Sequence, residues 1–384
     1  MRIAQPAGQV FSPLDKELGL LPQSLLLPRL TEALVSLCVW MPFARAQEFM
    51  ARLCGTSISR STARRQTLEA GEALVAAETA AAEWIIATVP EARPGPDHQL
   101  VSIDGAMVPL RGGEWAEVKT IAIGTLIAGK AGEPKATELS YFSRLADHTT
   151  FTRLATLETH RRGTDRAKAV VDGSEWIQES LDVHCVNATR VIDWGHSSGY
   201  IGDAARAIFS DEAEQAGWRQ AQCHELMHGK PEAVVEELCR QLTALPFGTE
   251  AAEQVSTSVT YLARRLDQIQ YASFRAQGLP IGSGCVESAN KLVVEARLKG
   301  AGMRWCRANV NPMLALRNAV CSHERWDETW SVLHAFRCTR AREHARSKHA
   351  ARHPQPSHHP PRPRRNSFRT SQLYGSRPPS HAKP

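Results

Sequence analysis

The sequence lacks the features that mark membrane, secreted and zinc-ribbon proteins. It contains no run of about 18 apolar residues free of charge, so no membrane-spanning helix is predicted. Its first residues, MRIAQPAGQVFSPLDKELGL, lack the basic start and apolar stretch of a signal peptide. The nine cysteines include no CxxC pair, which argues against a disulfide framework and favours buried, small hydrophobic side chains. We therefore expect a cytoplasmic protein, associated with the nucleoid if it binds DNA.

Positive charge is scarce outside the last part of the chain. The net charge is +6, but residues 339–384 hold 11 Lys/Arg and one acid, which leaves 35 bases and 39 acids, a net of −4, in residues 1–338. DNA binding by residues 1–338 must therefore depend on local basic patches. Residues 339–384 are rich in His, Arg and Pro and are predicted to form a disordered basic tail. Such a tail binds nucleic acid non-specifically or maintains solubility, and an artefact of the reading frame is the third alternative.

Residues 1–96 are predicted to form a helical region with a helix-turn-helix outline. A short helix is expected over Ala44–Leu53, Gly55 breaks it, and a second helix begins near Ser59 or Ser61, with Ser61 as a plausible cap. The second helix opens with three arginines: Arg60, Arg64 and Arg65. A helical hairpin with an arginine-rich start is typical of proteins that contact DNA. An ordinary hairpin with a solvated basic face is the alternative.

After a Pro/Gly-rich linker at residues 90–99, the pattern changes from helices to strands. The segments LVSIDGAMVPL and VKTIAIGTLIA predict an antiparallel hairpin, and ATELSYFSRL predicts the third strand of a meander. AKAVVDG and TRVIDWGH predict two more strands separated by helices. The expected fold is α/β with a mixed sheet over residues 97–338. Residues at about 211–279 are predicted to form a helical insertion of two to four helices.

Three acidic residues stand where carboxylates from separate elements can bind divalent metal. Asp104 lies midway along the first strand, where an ionised side chain is costly to bury unless it is paired or metal-bound. Asp172 ends another strand, and Glu287 is expected in the first turn of a helix that Ser283 caps and that runs to about Lys299. Cleavage of a phosphodiester with two metal ions needs such hard oxygen ligands. A turn former and a helix-dipole partner are the simpler roles for each acid taken alone.

Two further sets of residues accompany these acids. Asp193 and His196 are expected at the same sheet edge as Asp172, as metal ligands, DNA contacts or a structural pair, and we favour an organising role. Basic residues after Glu287 predict a groove for a DNA backbone, with a solvated helix face as the alternative. They are Lys291, Arg297, Lys299, Arg304 and Arg307.

Three segments resemble insertion-sequence transposases of the ISKra group, which look related to Mutator-like DDE transposases. They are IDGAMVPLRGGEWAEVKTIAIG, RVIDWGHSSGYIGDAARAIF and PIGSGCVESANKLVVEARLKGAGMRWCRANVNPMLALRNAVC. The resemblance spans roughly Phe11 to Trp330 and implies an RNase H-like core with a helical insertion before the last acid. It implies that Asp104, Asp172 and Glu287 are the catalytic, metal-binding acids, with Asp193 as an alternative second acid.

The same resemblance implies the activity and partners to expect. The activity is cleavage and transfer of DNA strands at element ends, with Mg²⁺ or Mn²⁺ as the cofactor. The protein would act as a homo-oligomer on DNA, would bind the element ends and the target DNA, and would not bind a membrane. A non-catalytic DNA-binding remnant or repressor of the element is the alternative from another class. A nuclease without strand transfer is a third.

Overall fold

The computed structural model describes residues 3–4, 10–11, 26–91, 94–129 and 133–352. The chain divides into two compact units after Thr339. Most of the predicted helical region before residue 26, and the predicted tail after Arg352, lie outside the described residues. The short strands β1 (Ile3–Ala4) and β2 (Val10–Phe11) pair with each other, so the 1–96 region is not entirely helical. Isoleucine, valine and phenylalanine favour this extended backbone.

Among the described residues, the first three helices include the predicted helix, glycine turn and helix. They are α1 (Pro28–Trp40), α2 (Phe43–Cys54) and α3 (Arg60–Thr88). Gly55 follows α2 in the left-handed conformation, with φ 61°, which glycine adopts without steric cost. Ser59 caps α3, because its Oγ accepts the N–H of Thr62 at 3.1 Å. The prediction of Ser61 as the cap is wrong, since Ser61 lies inside the helix and its hydroxyl contacts that of Ser59.

A five-stranded mixed sheet follows. Its strands are β3 (Gln99–Pro109), β4 (Trp115–Ala128), β5 (Pro134–Arg144), β6 (Lys168–Val171) and β7 (Thr189–Ile192). Their order is β5–β4–β3–β6–β7, with antiparallel pairing among β3, β4 and β5 and parallel pairing from β3 to β6 to β7. The predicted hairpin, meander and α/β class are confirmed.

Helices occupy the connections and the predicted insertion. α4 (His148–Arg162) and α5 (Glu175–His184) precede β6 and β7, and α6 (Trp194–Ile208) follows β7. Residues 211–279 contain four helices, at the upper end of the predicted number: α7 (Glu212–His228), α8 (Pro231–Ala244), α9 (Glu250–Ala263) and α10 (Tyr271–Ala276). The acid-bearing Pro280 to Cys321 segment comes after them.

The sheet is buried on both faces. Ile121 and Ile123 of β4 belong to one apolar cluster, and Ala122 between them belongs to a second. Alternate residues of a strand point to opposite faces, so the two clusters form two core layers. The second layer contains residues of α1 and α3 as well as of the 284–321 segment. The helix-turn-helix region therefore shares a core with the sheet.

The helix predicted from Ser283 to about Lys299 is interrupted by a π-helical turn. It comprises α11 (Gly284–Ala289), the π segment Asn290–Glu295 and α12 (Ala296–Leu298). The buried Arg317 explains how this wider turn is tolerated. Its guanidinium donates to the carbonyl oxygens of Val293 and Leu292, and so satisfies backbone acceptors of the π segment. Arg317 belongs to the next helix, α13 (Arg307–Cys321).

The chain divides into two units after Thr339, where the basic tail was predicted to begin. The last described helix, α14 (Trp326–Arg352), nevertheless continues past that residue. The physical reason is composition, because residues 340–352 contain alanine, arginine, lysine and glutamate, which are strong helix formers, and the next proline is Pro354.

Two expectations from composition have different outcomes. None of the helices in the described residues is long and apolar enough to cross a membrane. Most cysteines, however, are not the buried hydrophobes that were predicted. Only Cys38 and Cys185 are buried, and Cys54, Cys239 and Cys306 are exposed.

Candidate active site and arginine cavity

Three aspartates lie level with one another on neighbouring parallel strands. The register of β3 on β6 pairs Val101 with Ala169, so three residues further along Asp104 comes level with Asp172. The register of β6 on β7 brings Asp193 level with Asp172, and the N–H of Asp193 donates to the last carbonyl of β6 at 2.7 Å. Neighbouring strands are about 4.8 Å apart. We call Asp104, Asp172 and Asp193 the acid row.

Asp104 is half-buried and surrounded by polar groups. Its Oδ1 accepts the N–H of Gly105 at 2.7 Å, and its Oδ2 accepts the amide of Asn290 at 3.0 Å. Burial raises the pKa of Asp104, and the negative charge of Asp172 raises it further. The Gly105 N–H, the charge of His196 and the Asn290 amide partly offset that rise. Two neighbouring negative carboxylates provide an attractive position for a cation.

The turn after β6 holds Asp172. Its Oδ1 accepts the N–H of Ser174 at 2.8 Å, and the hydroxyl of Tyr261 donates to its carbonyl oxygen. Arg265 donates to the carbonyl of Gly173. Gly173 has φ 81°, and a Cβ there would lie within 3 Å of the Tyr261, Ile192 and Arg265 side chains. Only glycine fits this position. Tyr261 and Arg265 belong to the helical insertion, and their hydrogen bonds hold the backbone that carries Asp172.

Asp193 connects β7 to the segment before α11. It is 7% exposed and caps α6, because its Oδ1 accepts the N–H of His196 at 3.0 Å. Its Oδ2 accepts the N–H of Ser283 at 2.6 Å. Since both oxygens bind backbone N–H groups, this geometry supports the organising role favoured for Asp193 over metal ligation. His196 is exposed, and its main chain makes the cap.

Glu287 lies in the first turn of α11, as predicted, but it forms no metal-binding group with Asp104 and Asp172. Its side chain is exposed, and its Oε1 accepts the hydroxyl of Ser283 at 3.3 Å. One helical turn later, Asn290 faces the acid row instead. Asn290 is 6% exposed and donates to Asp104, while its own Oδ1 has no hydrogen-bond partner among the described residues.

The described part of the chain contains no group of three His, Cys, Asp or Glu side chains arranged to hold a metal ion. The structure brings Asp104 beside Asp172 but does not bring Glu287 into one metal-binding group with them. Asn290 joins the pair from the third element, because its Nδ2 donates to Asp104, and its buried Oδ1 has no hydrogen-bond partner among the described residues.

Four of the basic residues predicted to bind DNA line two adjoining cavities beside α2. Arg60 and Arg64 line a cavity of about 560 Å³, and Arg64, Arg297 and Arg304 line one of about 210 Å³. Arg111, from the turn between β3 and β4, lines both. We call the two together the arginine cavity, defined by Arg60, Arg64, Arg111 and Arg304.

The other predicted DNA contacts lie elsewhere. Arg65 pairs with Glu69 at 3.2 Å, and Lys299 pairs with Glu295 at 2.7 Å. Lys291 is exposed on the π segment.

Arg297 differs from the predicted exposed track because it is only 3% exposed. Its Nε donates to the carbonyl of Cys38 at 3.0 Å, and its guanidinium lies 5.0 Å from the ring centre of Phe43 and 5.1 Å from that of Trp305. A backbone acceptor and two aromatic faces thus draw this arginine inside, beneath the arginine cavity. Arg307, the last residue of the predicted basic groove, forms an exposed ion pair with Glu114 at 3.5 Å.

Sequence reasoning missed four residues of these sites: Asn290, Arg111, Trp305 and Arg317. The spacing ExxN after Glu287 is a signal for Asn290, because residues three apart share a helix face. Nothing local marks the other three. The main-chain N–H of Arg111 donates to the carbonyl of Trp305, next to a parallel bridge between Leu110 and Trp305, so this contact joins residues nearly 200 positions apart.

No family model matches this chain, and no curated protein matches its sequence.

Proposed function

We propose that this chain is a DNA transposase, a metal-dependent polynucleotidyl transferase that cuts DNA at element ends and joins the freed 3′-hydroxyls to target DNA. The observation that carries the proposal is the acid row. Asp104 of β3 and Asp172, directly after β6, lie at the same height along two adjacent parallel strands. The helical segment that bears Glu287 is hydrogen-bonded to Asp104 through Asn290. Three elements distant in sequence thereby meet at one sheet edge.

The donor set at this edge suits Mg²⁺ or Mn²⁺. Asp104 and Asp172 offer carboxylate oxygens, and the buried Oδ1 of Asn290 lacks a partner among the described residues. Such hard oxygens are the ligands these cations take. A bound cation would supply activation of the attacking oxygen and stabilisation of the leaving oxygen. We keep Glu287 as the third acid, one helical turn before Asn290.

Asp193 of the acid row and Tyr261 beside the row have positioning roles in this proposal. Asp193 fixes the start of α11 through Ser283, and Tyr261 fixes the main chain of Asp172. The mixed sheet, with the helical insertion between the second and third acids, supports an RNase H-like core. The helix-turn-helix outline and the arginine cavity support DNA as the substrate, because arginines bind the phosphate backbone.

Nicking of supercoiled plasmid DNA in Mg²⁺ or Mn²⁺ tests the proposal. Asp104→Asn and Asp172→Asn should each lower the nicking rate by about a thousandfold, since metal-bound carboxylates contribute several kcal/mol. Asp97→Asn, which changes an exposed aspartate in the turn before β3, is the matched control and should leave the rate unchanged. Equal rates for Asp104→Asn and the control would refute the assignment.

A pre-cut oligonucleotide with a free 3′-hydroxyl separates transposase from simple nuclease. The transposase should join this end to plasmid DNA, and Glu287→Gln should abolish joining. Nicking without joining would make the chain a nuclease.

A non-catalytic DNA-binding protein is the second candidate, and the arginine cavity favours it. It predicts DNA binding that weakens with salt, no nicking, and full DNA affinity in Asp104→Asn.

A further inference from the structure

Three helices begin at the arginine cavity. α2 contributes Pro42 to Ala44, α3 contributes Arg60 and Ser61, and α13 contributes its N-cap, Cys306. None of the three has an acidic residue in its first turn, and neither Pro42 nor Cys306 caps its helix with a side-chain hydrogen bond. Helix N-termini carry partial positive charge and free N–H groups, so together they favour an anion.

The four arginines reinforce this positive field. Arg60, Arg64, Arg111 and Arg304 are exposed, and no ion pair joins any of them to an acid within the described residues. The residues that line the two cavities include no Asp or Glu. Elsewhere on the surface, arginines such as Arg45 and Arg240 pair with glutamates three residues away. The arginine cavity thus concentrates cationic groups without local compensation.

Two buried donors beneath the cavity point independently to a ligand. Arg297 is 3% exposed and Trp305 is 7% exposed, and both line the smaller cavity. The Nη2 of Arg297 and the Nε1 of Trp305 have no hydrogen-bond partner in the described part of the chain. Burial lowers the pKa of Arg297 to about 10, still well above neutrality, so its guanidinium remains charged. A buried charge without an anionic partner is costly, which an anion in the cavity would relieve.

The main chain holds these groups in place. The N–H of Arg111 donates to the carbonyl of Trp305 at 2.9 Å, and the N–H of Trp305 donates to the carbonyl of Pro109 at 3.1 Å. The tip of the β3–β4 hairpin is therefore bonded to the loop that carries Arg304. This arrangement joins sheet, loop and helix-turn-helix region around one pocket.

We propose that the arginine cavity binds a phosphate group of a nucleic-acid strand. Arg64, Arg111 and Arg304 hold its oxygens at the rim, and the Nε1 of Trp305 and Nη2 of Arg297 donate from the floor. Guanidinium forks match phosphate geometry, and a phosphate offers more acceptor oxygens than a carboxylate to so many donors. The identification of that strand as DNA rests on the proposed function, whereas the phosphate site does not.

Fluorescence anisotropy with labelled single-stranded and duplex oligonucleotides, in EDTA, tests the site in the full-length chain. Arg64→Ala, Arg111→Ala and Arg304→Ala should each raise Kd by about tenfold, as expected for charge-assisted hydrogen bonds to phosphate. Each should also reduce the slope of log K against log salt by about 1. Arg52→Ala and Arg240→Ala remove exposed arginines elsewhere and should change Kd by less than about twofold. Equal effects of cavity and control variants would overturn the proposal.

Inorganic phosphate identifies the ligand chemistry. Phosphate should raise the Tm of the wild-type protein more than that of the Arg64→Ala/Arg111→Ala/Arg304→Ala variant, because a ligand stabilises the state that binds it. The same shift in both proteins would show an unspecific salt effect and count against the site. All these substitutions are at exposed positions, so they leave the core intact.

The outcomes separate this proposal from that of a transposase. If Asp104→Asn nicks DNA as fast as wild type but the cavity variants lose affinity, the transposase assignment fails and the phosphate site stands. If nicking depends on Asp104 while cavity and control variants bind alike, the phosphate site fails and the transposase assignment stands.

Discussion

The acid row and the arginine cavity each concentrate charge of one sign, but the fold treats the two regions differently. In the acid row the carboxylates accept hydrogen bonds from the protein itself: from Ser174 to Asp172, from His196 and Ser283 to Asp193, and from Asn290 to Asp104. In the arginine cavity the guanidiniums of Arg60, Arg64, Arg111 and Arg304 have no acidic partner among the described residues.

The difference shows which groups supply the hydrogen-bond partners of carboxylates and of guanidiniums. Backbone N–H groups are abundant at strand ends and helix starts, so carboxylates there are held in position before any ligand binds. Guanidiniums are donors only, and the helix N-termini around the cavity are donors as well. The acid row is therefore organised internally, whereas the anion that we propose for the arginine cavity comes from outside the protein.

The largest expected effect comes from removing Arg317, which joins the π segment beside the acid row to α1. Arg317 donates to carbonyls of the π segment and to Val39 of α1, so it joins the helix of the acid site to the helix-turn-helix region. Arg317→Met should lower the free energy of unfolding by about 4 kcal/mol, because several buried carbonyls lose their donor. Urea denaturation measures it. Arg240→Met, at an exposed ion pair, should cost less than about 1 kcal/mol, and a similar cost for both would contradict the role of Arg317.

A somewhat smaller loss of stability is expected at Gly173, directly after Asp172 of the acid row. Gly173→Ala should cost about 3 kcal/mol, the sum of left-handed backbone strain and the collisions with Tyr261, Ile192 and Arg265. Gly278→Ala provides the control, because Gly278 has φ 70° but open space around its Cβ position. Its cost should be about 1 kcal/mol, from strain alone. If urea midpoints shift equally for both variants, the clamp on Asp172 has no energetic weight.

The hydroxyl of Tyr261 offers a finer test of the same clamp. Tyr261→Phe should cost about 1 kcal/mol of stability, because the carbonyl of Asp172 loses its donor, and should also slow nicking. Tyr200 stacks on Tyr261 with ring centres 3.8 Å apart, but its hydroxyl has no hydrogen bond to another described residue. Tyr200→Phe should therefore be neutral in both assays. Equal loss of nicking in both variants would contradict a specific role of the Tyr261 hydroxyl, because Tyr200 makes no hydrogen bond to Asp172.

The smallest expected effect is a pH dependence at Asp104. Burial raises the pKa of Asp104 in the folded protein. Above the ordinary pKa of an aspartate, the unfolded chain therefore loses this proton more readily than the folded chain, and the folded state loses stability as pH rises. The stability of Asp104→Asn relative to wild type should consequently be higher at pH 7 than at pH 3, where the carboxyl is protonated in both states. Urea unfolding at the two pH values measures this difference. A relative stability independent of pH would mean that the fold does not penalise this charge.

Much of the framework was predictable from local pattern. Alternating apolar residues and short turns located β3, β4 and β5, and apolar runs followed by Asp located β6 and β7. The positions of Gly55 and the arginines located the α2–α3 hairpin. These features depend on neighbours within a few residues, and sequence carries such information directly. The end of α14 was not predicted, because a composition with many basic residues suits a disordered tail and a helix alike.

The sequence by itself determined which elements form and which residues end the strands, since backbone preferences and side-chain periodicity are local. Only the tertiary structure decided which of those residues meet. It selected Asn290 over Glu287 as the partner of Asp104 through the helix geometry, buried Arg297 between two aromatic rings, and brought Arg111 to Trp305. Such pairings depend on register and packing between segments far apart in the chain, and no local pattern encodes them.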